Sequence, residues 1–180
     1  MKGGLARWRV RAGYPVGLLY FWLARPDGLW LSAGIALGLV GIVFRAFAAG
    51  YLHKNEQLAT AGPYAWTRNP LYFGSAWIAT GLLVAARSWV GAAAVVAYFL
   101  AFYPATMRSE EAALAARYGA AFRDYASRVP LFWPRPPRSA PLAKARFSWA
   151  QYRRNREYNA ALGMALAILL LVAKMIFLAH

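Results

Sequence analysis

From Leu29 to Gly50 the chain carries a single charged side chain, Arg45, and the stretches 71–86, 89–106 and 158–179 are nearly as apolar. Runs of this kind approach the roughly 20 residues that a helix needs to cross a bilayer. Inside lipid the backbone must satisfy itself within a helix or a closed barrel, and the alternating pattern of barrel strands is absent. The chain therefore reads as an all-α integral membrane protein. Composition agrees, since 61% of the 180 residues are hydrophobic and 15% charged, too apolar a balance for an ordinary soluble domain.

A further apolar run, Tyr14 to Ala24, follows Lys2, Arg7, Arg9 and Arg11 and imitates a signal peptide. No small-x-small cleavage site precedes Arg25, so the run is read as a retained first helix. About five transmembrane helices are expected in one membrane domain, over 12–25, 29–50, 71–86, 89–106 and 158–179, with polar arms at 51–70 and 107–157. Arg25-Pro26-Asp27-Gly28 supplies a turn, and Arg87-Ser88 closes a hairpin between the third and fourth helices. Ser32, Gly34, Gly38 and Gly41 give the second helix small faces for close approach. Arg45, near its end, suits the interface and a polar cavity equally well.

The formal charge of +15 raises the question of nucleic acid, but the placement of the cations favours a membrane flank. With the N-terminus inside, the cytoplasmic segments hold 17 of the 21 basic residues, eleven of them between Arg108 and Arg156. The outer loops hold only Arg25 and Arg87. Both polar arms are thus expected on the cytoplasmic side, and no nucleic-acid partner is expected. The absence of cysteine excludes disulfides and thiolate chemistry. His53 and His180 have no companions at ligand spacing, so no metal site is expected.

In the second arm Glu111, Leu114, Tyr118, Phe122, Tyr125 and Val129 recur at helical spacing and share a face, with Gly119 as an end or kink. Glu110 and Glu111 open this helix, where its dipole favours carboxylates. From Pro130 to Pro137 the prolines forbid a helix, and residues 139 to 150 read as irregular or interfacial. The first arm ends in Gly62-Pro63-Tyr64-Ala65-Trp66-Thr67-Arg68-Asn69-Pro70-Leu71-Tyr72-Phe73-Gly74. Its turn residues sit directly between apolar runs.

That segment, followed by Gly81, Glu110-Glu111-x-x-Leu114, Tyr118-Gly119, Phe122, Tyr125 and Val129-Pro130, resembles the isoprenylcysteine carboxyl methyltransferase family and its phospholipid methyltransferase relatives. The resemblance covers about residues 60 to 134 and implies an S-adenosylmethionine-dependent membrane methyltransferase in a bacterial inner membrane, with its cofactor site facing the cytoplasm. It differs at Asn69, where family members often carry His; Asn can hydrogen-bond but cannot titrate.

Given that cofactor, Arg68 can clamp its carboxylate and Asn69 can add hydrogen bonds. Glu110 or Glu111 can take the ammonium or the ribose hydroxyls. Tyr64, Tyr72 and Tyr125 can pack on the adenine or the sulfonium, Pro63 and Pro70 stiffen the loop, and Gly62 and Gly74 admit close backbone approach. Asn155, Arg156 and Glu157, at the mouth of the last helix, are the candidate catalytic residues on the side of the acceptor. The acceptor itself is expected to be an amphiphilic lipid or isoprenoid. Two rival readings are an NADPH-dependent reductase of the sterol-reductase type and a non-enzymatic scaffold or transporter.

Overall fold

A computed structural model describes residues 2–54, 56–137 and 146–178. Six α-helices and one 3-10 turn, Gly62–Ala65, account for its regular structure: α1 (Lys2–Leu23), α2 (Gly28–Tyr51), α3 (Pro70–Ala86), α4 (Trp89–Arg128), α5 (Trp149–Arg154) and α6 (Tyr158–Leu178). No strand occurs among the described residues. Helices α2, α4 and α6 are long and apolar enough to cross a membrane. At 17 residues α3 spans about 26 Å at the standard helical rise, slightly short of a hydrocarbon core.

Helices α2, α3 and α6 begin and end within a residue of the boundaries expected from hydropathy. Helix α1 departs from them by starting at Lys2, because Arg7, Arg9 and Arg11 are good helix formers that extend a helix without needing lipid. It stops at Leu23, just ahead of Arg25, which Pro26 biases away from helical geometry. No break separates the expected fourth span from the arm helix: α4 runs on through Met107. The change there is from apolar to polar side chains, which alters the solvent but not the backbone. The expected kink is present at Gly119, whose φ of 53° puts it in the left-handed region.

Residues 130–137 contain no helix. Helix α5 lies at the end of the stretch read as irregular, and its start is marked by Ser148, whose hydroxyl accepts from the Gln151 amide. Arg138, the irregular stretch expected over 139–145, and His180 lie outside the described residues.

The chain forms two compact units: Met1–Leu39 with Ile78–Glu110 and Gly163–His180, and Val40–Trp77 with Glu111–Leu162. In the first, Tyr20, Ala24, Leu31, Ala85, Ala86 and Leu171 form the core. Small residues make it possible: a Cβ on Gly34 would fall 2.6 Å from the Ala85 Cβ, and one on Gly81 2.6 Å from the Gly38 amide nitrogen. Lys174 donates to the Trp22 carbonyl at 2.7 Å and to the Phe21 carbonyl, closing the open end of α1.

In the second unit Phe122, Tyr125 and Val129 are buried against Leu114, Tyr118 and Leu58. This is the face that the three- and four-residue spacing predicts, and it gives the arm of α4 a purpose. It packs on the loop that precedes α3.

Candidate functional site

Gly62 opens the loop with a φ of 59°, and a Cβ there would press on the Tyr51 ring at 2.8 Å. Pro63 follows in the 3-10 turn, its carbonyl accepting from the amides of Trp66 and Thr67 at 3.1 and 3.2 Å. The chain then runs alongside the proline-rich stretch after α4. Arg68 donates its amide to the Pro130 carbonyl at 2.9 Å, and the Arg135 amide donates to the Trp66 carbonyl at 3.0 Å. Thr67 donates its hydroxyl to the Phe132 carbonyl at 2.9 Å, and the Asn69 side-chain amide donates to the Leu131 carbonyl at 3.1 Å. Backbone polar groups that proline leaves without helical partners are satisfied in this way.

The Tyr125 hydroxyl donates to the Tyr64 carbonyl at 2.7 Å. With 2% of Tyr125 exposed, its ring belongs to the packing beneath the loop. Asn69 is buried too, and its side chain holds the 130–135 stretch. Both residues thus build the loop's shape.

Arg68 and Glu111 are different. The Arg68 Nε and a Glu111 carboxylate oxygen oppose each other at 2.6 Å as an ion pair, off the axis that a hydrogen bond needs, and both atoms are buried. Arg68 Nη1 donates to the Ala126 carbonyl at 2.8 Å. A buried charge pair that leaves hydrogen-bonding capacity unspent is well suited to a ligand carrying both charges. Arg68, though not Glu111, also lines a cleft of about 260 Å³, together with Ala65, Ser127, Arg128, Arg135, Pro136 and Pro137. Arg128 is paired with Asp124 one helical turn away, so the positive balance of the cleft rests on Arg135.

The other expected site residues are distributed as follows. Pro70 is buried at the start of α3, and Tyr72 is partly buried on its first turn. Gly74 lies against Arg45, with the Gly41 carbonyl 2.9 Å from where its Cβ would stand. Glu110 is on the exposed side of α4. Of the acidic pair, Glu111 is the member that meets Arg68.

Asn155, Arg156 and Glu157 take three separate directions. Asn155 donates to the carbonyls of Ala49 and Leu52 at 3.0 and 2.8 Å, capping α2. Arg156 is exposed, with a φ of 52°. Glu157 turns inward to an ion pair with Arg45. Sequence reasoning left Arg45 undecided and passed over Ser75, which accepts a hydrogen bond from it. The available signal was a lone cation in one apolar run and a lone carboxylate at the edge of another.

The phospholipid methyltransferase family profile matches residues 16–121, more than half of the chain. Among curated proteins, the chain is 36% identical over 135 residues to the cobalt-zinc-cadmium resistance protein CzcN of Cupriavidus metallidurans, covering 71% of this chain and 62% of that one. It is 34% identical over 135 residues to the nickel-cobalt-cadmium resistance protein NccN of Alcaligenes xylosoxydans xylosoxydans, covering 71% of this chain and 63% of that one. The chain thus spans less than two thirds of either relative's length. No solved structure matches it significantly.

Proposed function

Because this chain belongs to the phospholipid methyltransferase family, we propose that it is a membrane methyltransferase that holds S-adenosylmethionine at Arg68 and Glu111 and methylates an amphiphilic lipid or isoprenoid acceptor. The observation that carries this reading is the buried, imperfectly aligned Arg68–Glu111 pair, both members of which fall inside the family match. Arg68 would take the cofactor's carboxylate, with Arg135 keeping the cleft positive, and Glu111, paired with Arg68, its ammonium or ribose hydroxyls. When bound, the cofactor supplies an electrophilic methyl group. The chain's own task is then alignment and exclusion of water, with a general base only if the acceptor must lose a proton. Tyr125, Thr67 and Asn69 serve that task by fixing the loop from beneath. We place the loop and the N-terminus on the cytoplasmic side of a bacterial inner membrane, on the asymmetry of basic residues.

The relatives' names associate them with resistance to cobalt, zinc, cadmium and nickel. Among the described residues no three His, Cys, Asp or Glu side chains converge as metal ligands. A part in metal resistance would run through a methylated membrane component.

Isothermal titration of the detergent-solubilised protein with S-adenosylhomocysteine tests the reading. Binding is expected, weakened at least about tenfold in Arg68→Ala and Glu111→Ala, since each loses a charge-assisted partner. Stabilisation by NADPH with no response to S-adenosylmethionine or S-adenosylhomocysteine would turn the assignment to a reductase. Unchanged affinity in both folded variants would remove this pair from the site.

A further inference from the structure

Glu157 stands immediately before α6, beyond the family match, yet its side chain is 8% exposed and meets the Arg45 guanidinium. Arg45 reaches further. Its Nη1 donates to the Leu71 carbonyl at 2.9 Å and to the Ser75 hydroxyl, and that hydroxyl donates to the same carbonyl at 3.0 Å. Leu71 lies in the first turn of α3, three residues after Arg68. Close packing at Gly74 admits the Arg45 stem to this turn.

The surrounding chain fixes Glu157 in place. Ser148 donates its amide to the Gly50 carbonyl at 3.0 Å, the Phe147 ring covers Gly50, and Asn155 takes the Ala49 and Leu52 carbonyls. Residues 147–157 thus clasp the end of α2 and deliver one carboxylate to its one cation. A half-buried guanidinium left without its counter-charge would be unfavourable, so the geometry of Arg45 depends on Glu157.

We propose that Arg45 and Glu157 are a positioning pair for the methyl-transfer site, through which the segment leading into the last helix sets the first turn of α3 and with it the Arg68 loop. The proposal rests on the reading of Arg68 and Glu111 as the cofactor site. It gives the C-terminal segment a function. A simple staple would contribute to stability alone, whereas a positioning pair also sets the affinity of the folded protein.

The test uses the full chain in detergent and the variants Glu157→Ala, Glu157→Gln and Ser75→Ala. Two quantities are measured: S-adenosylhomocysteine affinity and amide hydrogen exchange across residues 62–75. Glu157→Ala is expected to weaken binding by about tenfold, as when a ligand contact is loosened, and to raise exchange across the loop. Glu157→Gln keeps an oxygen for the Arg45 Nε and is expected to recover much of the loss; Ser75→Ala should fall between. Glu157→Ala protein that is folded by circular dichroism and binds as the wild type does would overturn the proposal. Should that variant fail to fold, unchanged affinity in Ser75→Ala overturns it equally. If the wild type binds no S-adenosylhomocysteine, the cofactor reading fails, and the exchange data alone decide: raised exchange in the variants upholds the coupling to the loop, unchanged exchange refutes it.

Discussion

Asp27, in the turn between α1 and α2, shows how one side chain can serve two partners. It accepts from the Trp30 amide at 3.0 Å as the cap of α2, and from Arg87 at 2.5 Å. The Trp30 hydrogen bond first, and Arg87 after it, hold the carboxyl below its ordinary range. A carboxyl whose folded value is depressed contributes stability above its unfolded value of about 4 and loses that contribution as pH falls through the folded value. Thermal stability of the solubilised protein should therefore decline on acidification below about pH 4, and the decline should be shallower in Asp27→Asn; identical profiles would count against the cap. At this scale the sequence was unevenly legible. Arg68 and Glu111 stood out because each belongs to a recognisable spacing of prolines, tyrosines and acidic residues. Arg45 and Glu157 lie 112 positions apart and share no motif, so only the folded chain brings them together.

Helices were the most legible level, since an apolar run of given length has few alternatives in lipid. The exceptions have physical causes. Helix α5 has only six residues and depends on Ser148 and on the end of α2 for support, neither of which a hydropathy window detects. The arm of α4 was readable by its face but not by its start, because helix formers continue across the polar boundary. Contact between α2 and α3 is set by Gly34 and Gly81, where an added methyl would meet Ala85 or the backbone at Gly38. Gly34→Ala and Gly81→Ala are each expected to destabilise the solubilised protein by about 1–3 kcal/mol, as overpacking does. Gly17→Ala, with open space around it, serves as the neutral control in the same detergent-denaturation assay.

For the whole molecule the informative quantity is where the +15 charge lies along the chain. Basic residues crowd into the N-terminal segment and the second arm, which the positive-inside rule reads as one side of the bilayer. Reporter fusions should show a cytoplasmic N-terminus and a cytoplasmic reporter inserted after Pro137; a periplasmic signal from either would reverse the assignment. The family match ends at residue 121, and a designer cutting the gene there would keep the recognisable motif through Gly119 but lose Phe122, Tyr125, Val129 and Pro130. The clasp over α2 argues for a later cut. Without residues 147–157 the carbonyls of Gly50 and Leu52 lose the donors from Ser148 and Asn155, the Ala49 carbonyl keeps only the Leu52 amide, and Arg45 loses its carboxylate. A piece that keeps these polar groups partnered reaches at least to Glu157.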